Sequence, residues 1–341
     1  MDFAAALQLI MRDPLLVLLM LLNIGVIIVN GATDASNAIS TCIGTGAISE
    51  KSALLLAACG NYIGLMLMTL LTPAVANTIS SLVRLGEERQ AALLAVAAAA
   101  LSIIIWGVAA WSCGIPTSQS HSLIAGLSGA VLALPQGLAA INGAAWLKVL
   151  AGLLLSSVAG FALGFLITRL LGRQSAAGYR FRLAQIGAAA AMAVLHGAQD
   201  GQKFMGVMLI SLLVAAGLPQ EQLQFPLWLS LLCALTMAIG TAIGGRRIIR
   251  TVGQEMVSLM PYQGFAADMA ACLCLLFSTL FGLPVSTTHT KTTAVMGVGA
   301  AVSRGAVDWQ IARKMLLTWV FTFPGCGLLG YGISKLLLAL I

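Results

Sequence analysis

Asn30-Gly31-Ala32-Thr33-Asp34-Ala35-Ser36-Asn37 returns 166 positions later as His196-Gly197-Ala198-Gln199-Asp200-Gly201-Gln202-Lys203. A second motif, Gly114-Ile115-Pro116-Thr117-Ser118-Gln119-Ser120-His121, returns at an offset of 168 as Gly282-Leu283-Pro284-Val285-Ser286-Thr287-Thr288-His289. Two unrelated motifs repeated in one order at nearly one offset mark a duplicated chain. Its copies are residues 1–172 and 183–341, joined by a basic linker at 173–182.

Around these motifs the chain is apolar. Of its 341 residues 60% are hydrophobic and 9% charged, and the mean hydropathy is +0.99. A soluble surface is roughly a quarter to a third charged, so this chain cannot cover itself with polar groups in water. It reads as an all-α polytopic membrane protein. Apolar runs lie at 14–48, 53–76, 91–112, 115–134, 146–171, 183–213, 226–244, 266–281, 284–302 and 315–339. A helix rising 1.5 Å per residue needs about 20 residues to cross hydrocarbon about 30 Å thick, so ten crossings are expected. The runs 14–48 and 183–213 are overlong and must tilt, break or fold back. About five crossings per copy is an odd number, which inserts the second copy upside down. Such inverted repeats carry binding groups on broken or re-entrant half-helices near the midplane.

The net charge of +7 sits in short loops, without a basic stripe or interleaved aromatics, so nucleic acid is excluded as a partner. With ten crossings, Lys51, Arg169, Arg173, Arg180, Arg182, Arg246, Arg247, Arg250, Arg304, Arg313 and Lys314 share one side. Only Arg12, Arg84, Arg89, Lys148 and Lys335 fall on the other. That bias makes the first side, with the linker 173–182, cytoplasmic and puts both termini outside. The run after Arg12 resembles a leader peptide, but it leads into one copy of a repeat, which a cleaved leader would not carry. The seven cysteines are scattered through apolar sequence and read as packing residues, with no structural metal site.

An ionised Asp at the bilayer centre costs about 2.5–3.5 kcal/mol on insertion scales, so Asp34 and Asp200 need partners or a polar cavity. On a helix Asp34, Asn37 and Thr41 share one face, offering oxygen ligands to a cation or a carboxylate to a proton. Lys203, three residues past Asp200, is either its counter-charge or an anion contact. Each Gly-x-Pro marks a break followed by a new half-helix, with Pro116 and Pro284 at its start. The free amides and positive dipole end of that helix, beside Ser118, Ser120, Ser286, Thr287 and Thr288, make a site for a tetrahedral oxyanion. Those hydroxyls could instead cap the helices. His121, His196 and His289 are packing residues or handle protons or substrate. Lys291 has no basic counterpart, since Leu123 holds the matching place; it is expected near the cytoplasmic vestibule, without a role.

No Gly-x-x-x-x-Gly-Lys-Ser/Thr loop is present, so the chain does not hydrolyse ATP, and no cofactor is expected. Moving an anion against an inside-negative potential costs about 2.3 kcal/mol per charge per 100 mV, a cost that co-transported cations offset.

The motifs Asn-Gly-x-x-Asp-x-x-Asn at 30–37, Ile-Pro-x-Ser-x-Ser-His at 115–121, His-Gly-x-x-Asp-x-Gln-Lys-x-Met-Gly at 196–206 and Pro-Val-Ser-Thr-Thr-His at 284–289 resemble the inorganic phosphate transporter (PiT) family, in its bacterial branch. Leu317-Thr-Trp-Val-Phe-Thr-Phe-Pro324 resembles its last helix. The resemblance implies an inverted-repeat fold, usually a homodimer, that moves phosphate, or metal-phosphate complexes, with Na⁺ or H⁺. Asp34 and Asn37 match its first signature, Ser118 and Ser120 its first hydroxyl motif. Asp200 and Lys203 match the second signature, and Ser286, Thr287 and Thr288 the second hydroxyl motif. Thr33 and Gln199 depart from it, standing where Asn or His is frequent before the aspartate.

The sequence therefore leads to a secondary transporter, not an enzyme, that imports inorganic phosphate by symport with Na⁺ or H⁺ across the bacterial inner membrane. Ser118, Ser120, Ser286, Thr287, Thr288, Asn37 and Lys203 are expected to hold phosphate. Asp34, Asp200 and Asn37 are expected to hold the cation or proton. A sulfate or other oxyanion symporter, a passive anion channel and an intramembrane Ser/His hydrolase are the alternatives; the matched polar sets in both copies speak against the hydrolase.

Overall fold

The computed structural model describes residues 1–172, 179–219 and 224–340 of the chain. Most of the expected linker, residues 173–178, lies outside the described residues. The first copy supplies α1 (Phe3–Arg12), α2 (Pro14–Gly44), α3 (Glu50–Leu71), α4 (Ala74–Ser80), α5 (Arg89–Ser112), α6 (Gln119–Leu132) and α7 (Gly143–Leu171). The second supplies α8 (Tyr179–His196), α9 (Gln202–Ala215), α10 (Leu227–Ile243), α11 (Arg246–Arg250), α12 (Pro261–Leu280), α13 (Thr287–Val302) and α14 (Trp309–Leu338). Among the described residues there are no strands beyond two isolated bridges, in keeping with the expected all-α membrane class.

Seven described helices are long and apolar enough to span a membrane, or eight if α10 is joined across a 76° bend to the helix over Ile248–Glu255. The expected ten full crossings are thus too many. The runs 115–134 and 284–302 carry helices of 14 and 16 residues, which at 1.5 Å per residue stop well short of about 30 Å. Of the two overlong runs, α2 stays one helix of 31 residues, started by the Asp13 carboxylate accepting from the amides of Leu15 and Leu16. The other passes from α8 to α9 through a π-helical turn at Gly197–Gly201, the turn that carries Asp200. Such turns recur at functional sites because the extra residue per turn re-aims side chains.

The short helices are held at the centre by small residues. A Cβ on Gly164 of α7 would lie 2.3 Å from the Ala294 carbonyl of α13, and one on Gly129 of α6 would lie 2.0 Å from the Gly327 carbonyl of α14. Each half-helix of one copy is therefore packed backbone to backbone against a long helix of the other, the close approach that small residues permit in membranes. The most apolar stretch of α14 is only 22% buried, whereas that of α5 is 72% buried. Exposed Leu316, Val320, Phe321 and Leu328 make α14 lipid-facing, and α5 belongs to the interior.

Candidate functional site

Both Gly-x-Pro motifs break the chain as expected, for Gly114 and Gly282 adopt φ of 68° and 61°, a region open to glycine. The new helices begin later than the prolines suggested. Ser118 and Ser286 are the N-caps, so Pro116 and Pro284 stand two residues ahead of the caps in the extended lead-in, not at the first helical position. The Ser118 hydroxyl accepts from the His121 amide at 3.2 Å, and that of Ser286 from the His289 amide at 3.1 Å. Capping takes one amide per helix. Those of Gln119, Ser120, Thr287 and Thr288 remain without an intrahelical partner, as first-turn amides do. The two caps meet, with Ser286 Oγ donating to Ser118 Oγ at 2.8 Å.

The aspartates flank this junction. Thr288 Oγ1 donates to Asp34 Oδ2 at 3.2 Å and Thr33 Oγ1 to Asp34 Oδ1 at 3.1 Å. Thr287 Oγ1 donates to Asp200 Oδ2 at 3.1 Å. Asn37 Nδ2 reaches the hydroxyls of Thr287 and Thr288 at 3.3 and 3.0 Å. Lys203 Nζ donates to Asp200 Oδ1 at 2.7 Å, Ser120 Oγ at 2.7 Å and the Val285 carbonyl at 2.5 Å. The structure thus brings Asp34, Asn37, Ser118, Ser120, Asp200, Lys203, Ser286, Thr287 and Thr288 into one cluster, every member buried. The Lys203 ammonium has spent all three protons on protein oxygens, so the expected direct hydrogen bond from Lys203 to an anion has no proton left to make it.

The three histidines separate. His196 Nε2 stands 3.3 Å from Asp200 Oδ2, and its Nδ1 is 2.9 Å from Asn61 Oδ1. One ligand atom each from Asp34, His196 and Asp200 lie within 4.8 Å of one another, close enough to share a cation. His121 and His289 lie behind the hydroxyls, ring to ring at 4.3 Å, with His289 stacked on Trp319 at 3.6 Å. They form the floor of an apolar groove of about 570 Å³ lined by Leu150, Leu154, Leu316, Val320 and Phe323.

Sequence reasoning missed several participants. Asn61 of α3, which donates to Thr241 Oγ1 at 2.8 Å while holding His196, was visible only as one amide in an apolar run. Gln199, a departure from the family pattern, donates to Thr279 Oγ1 at 3.0 Å and to the Leu283 carbonyl at 3.2 Å, tying the π turn to the second break. Lys291 is not near a vestibule: it is wholly buried and ion-paired with Asp268. Thr41 joins that pair, donating to Asp268 Oδ1 at 2.8 Å, so the face it shares with Asp34 and Asn37 serves two polar groups.

The model of the phosphate transporter family matches residues 30–330, spanning both copies and every motif. The chain belongs to that family. A probable low-affinity inorganic phosphate transporter of Bacillus subtilis is 36% identical over 327 residues, covering 93% of this chain and 96% of the relative. A probable low-affinity inorganic phosphate transporter of Rhizobium meliloti is 34% identical over 322 residues, covering 93% and 94%. A solved structure described as the sodium-dependent phosphate transporter superposes with a TM-score of 0.88 at 20% identity, over 96% of this chain and 100% of that one. That likeness carries the fold. The family is the one the motifs resembled, and these relatives are transporters, not enzymes.

Proposed function

We propose that the protein is a multi-pass secondary transporter that imports inorganic phosphate by symport with Na⁺ or H⁺ across the bacterial inner membrane, as a homodimer of chains whose two copies are inserted in opposite orientations. The observation that carries this reading is the meeting of two hydroxyl-capped helix N-termini directly over a pair of buried aspartates. Phosphate is bound by the first-turn amides and by the hydroxyls of Ser118, Ser120, Ser286, Thr287 and Thr288, with Asn37 beside them and the charge of Lys203 at the edge. Helix N-termini favour anions through both amides and dipole.

Coupling runs through Thr287 and Thr288. Each hydroxyl has one proton, given to a carboxylate when no cation is bound. A cation or proton that takes the lone pairs of Asp34 and Asp200 frees both hydroxyls to donate to phosphate instead. His196 sits close enough to Asp200 to relay a proton or ligate the cation, the role left for a histidine here; His121 and His289 position the half-helices from behind.

Uptake of labelled phosphate into proteoliposomes tests this. Accumulation should follow an imposed Na⁺ or pH gradient, vanish when both are collapsed with choline replacing Na⁺, and yield to arsenate more than to sulfate. Uptake indifferent to both gradients would refute symport, and stronger competition by sulfate would move the substrate to that anion.

A further inference from the structure

The two copies are unequal where the cation would bind. Asn37 and Lys203 hold corresponding places, as do Thr288 and Ser120, and Thr117 and Val285. Around Lys203 Nζ stand a carboxylate oxygen, a hydroxyl and a backbone carbonyl at 2.5–2.7 Å, with no proton left over. Those three are oxygens of the types that also ligate a hard cation. The hydroxyls report the difference. Ser120 turns its lone pair to the ammonium and gives its own proton to Val285 O at 3.3 Å, whereas Thr288 gives its proton to the Asp34 carboxylate.

We propose that Lys203 is a tethered cation, its ammonium permanently filling in the second copy the place that a transported cation takes beside Asp34 in the first. The mobile cation then binds Asp34 and can reach only the second oxygen of Asp200, because Oδ1 is committed to Lys203. One aspartate of the pair is neutralised within the chain, so the cluster takes up one cation fewer per cycle than two free aspartates would. This rests on the reading of Asp34 and Asp200 as the cation site.

Lys203→Asn gives the second copy the residue of the first and vacates three oxygens for Na⁺. In full-length protein reconstituted in liposomes, with the membrane potential clamped and pH equal on both sides, steady-state phosphate accumulation is measured against the imposed Na⁺ gradient. The dependence should rise by one power over wild type, so that a tenfold gradient gives tenfold more accumulation than wild type shows. A second reading comes from thermal melting of the purified variant, which should rise with NaCl over choline chloride more than that of wild type. An active Lys203→Asn with an unchanged power overturns the proposal, as does an inactive one whose melting does not respond to Na⁺ beyond wild type. If wild type itself answers to neither a Na⁺ nor a pH gradient, the symport reading fails. A Na⁺-specific rise in melting confined to Lys203→Asn would then still support the tethered cation, and its absence would remove it.

Discussion

Asp34 and Asp200 occupy corresponding places in the two copies and sit in different chemistry. Asp34 lies on an unbroken helix and, among the described residues, accepts from the hydroxyls of Thr33 and Thr288. Asp200 lies on a π-helical turn and faces an ammonium, an imidazole and the Thr287 hydroxyl. A buried carboxylate with neutral donors keeps its desolvation cost until a cation arrives, whereas one with a fixed ammonium has much of that cost offset in advance. The repeated motif thus places one acid among neutral donors and the other beside a fixed charge.

The largest effect should come from unpairing the anchored side. Asp200→Asn leaves the Lys203 ammonium buried without its carboxylate, which costs about 3–5 kcal/mol. Asp34→Asn orphans no charge, so its melting should stay near wild type while concentrative uptake collapses. Thermal melting in detergent alongside uptake checks both, and equal destabilisation by the two changes would erase the contrast. Adding Lys203→Met to Asp200→Asn should restore melting. Uptake in that double variant sharpens the comparison: recovered gradient-driven uptake would confine coupling to Asp34, and a stable but inactive protein would keep Asp200 in the shell of the cation.

A comparable loss of stability, with a different functional outcome, is expected at the Lys291–Asp268 pair, which exists on one side only because Leu123 holds the place matching Lys291. Asp268→Asn should cost about 3–5 kcal/mol by stranding Lys291, and a joint exchange to Lys291→Met and Asp268→Leu should be near neutral, since apolar packing often replaces a buried ion pair without loss. Phosphate uptake by the stable double variant should match wild type. Loss of gradient coupling there would draw this pair into the transport cycle.

Smaller changes are expected from the hydroxyls. Ser286→Ala or Thr288→Ala removes a bond to a charged ligand, worth about 1.5–3 kcal/mol, so the KM for phosphate should rise roughly ten- to hundredfold. Cys272→Ala and Cys274→Ala, buried in the same copy, should leave KM alone. Equal KM across all four would return the hydroxyls to capping only.

What the sequence disclosed and withheld follows from how each feature is encoded. The apolar runs, the breaks at Gly114 and Gly282, and the convergence of Ser118, Ser286, Asp34 and Asp200 were legible because a duplicated motif is readable without coordinates. The crossing count was overstated because hydropathy measures apolar length and α6 and α13 are apolar but short. Helix starts were misplaced by three residues because Pro tolerates both the lead-in and the first turn, and only backbone geometry separates them. Asn61 and Asp268 were invisible as participants, since their partners Thr241 and Lys291 lie 180 and 23 residues away and neither belongs to a repeated motif.

The smallest predicted effect addresses whether the two copies meet as the structure draws them. Ser118 and Ser286 each cap their own helix, and replacing such a cap by Ala costs about 1 kcal/mol. They also share one hydrogen bond, in which Ser286 donates to Ser118. Ser118→Ala therefore removes a cap and strands the Ser286 proton, while Ser286→Ala removes a cap and a donor. The double variant should be less destabilised than the sum of the singles by about 0.5–1 kcal/mol, the coupling expected of residues in direct contact. Melting of the four proteins in detergent gives that difference. Saturating phosphate should abolish it, because an anion seated between the helix N-termini must first part the two hydroxyls. Additivity without phosphate would mean that the caps do not touch in the dominant state, and coupling that persists with phosphate bound would place the anion elsewhere.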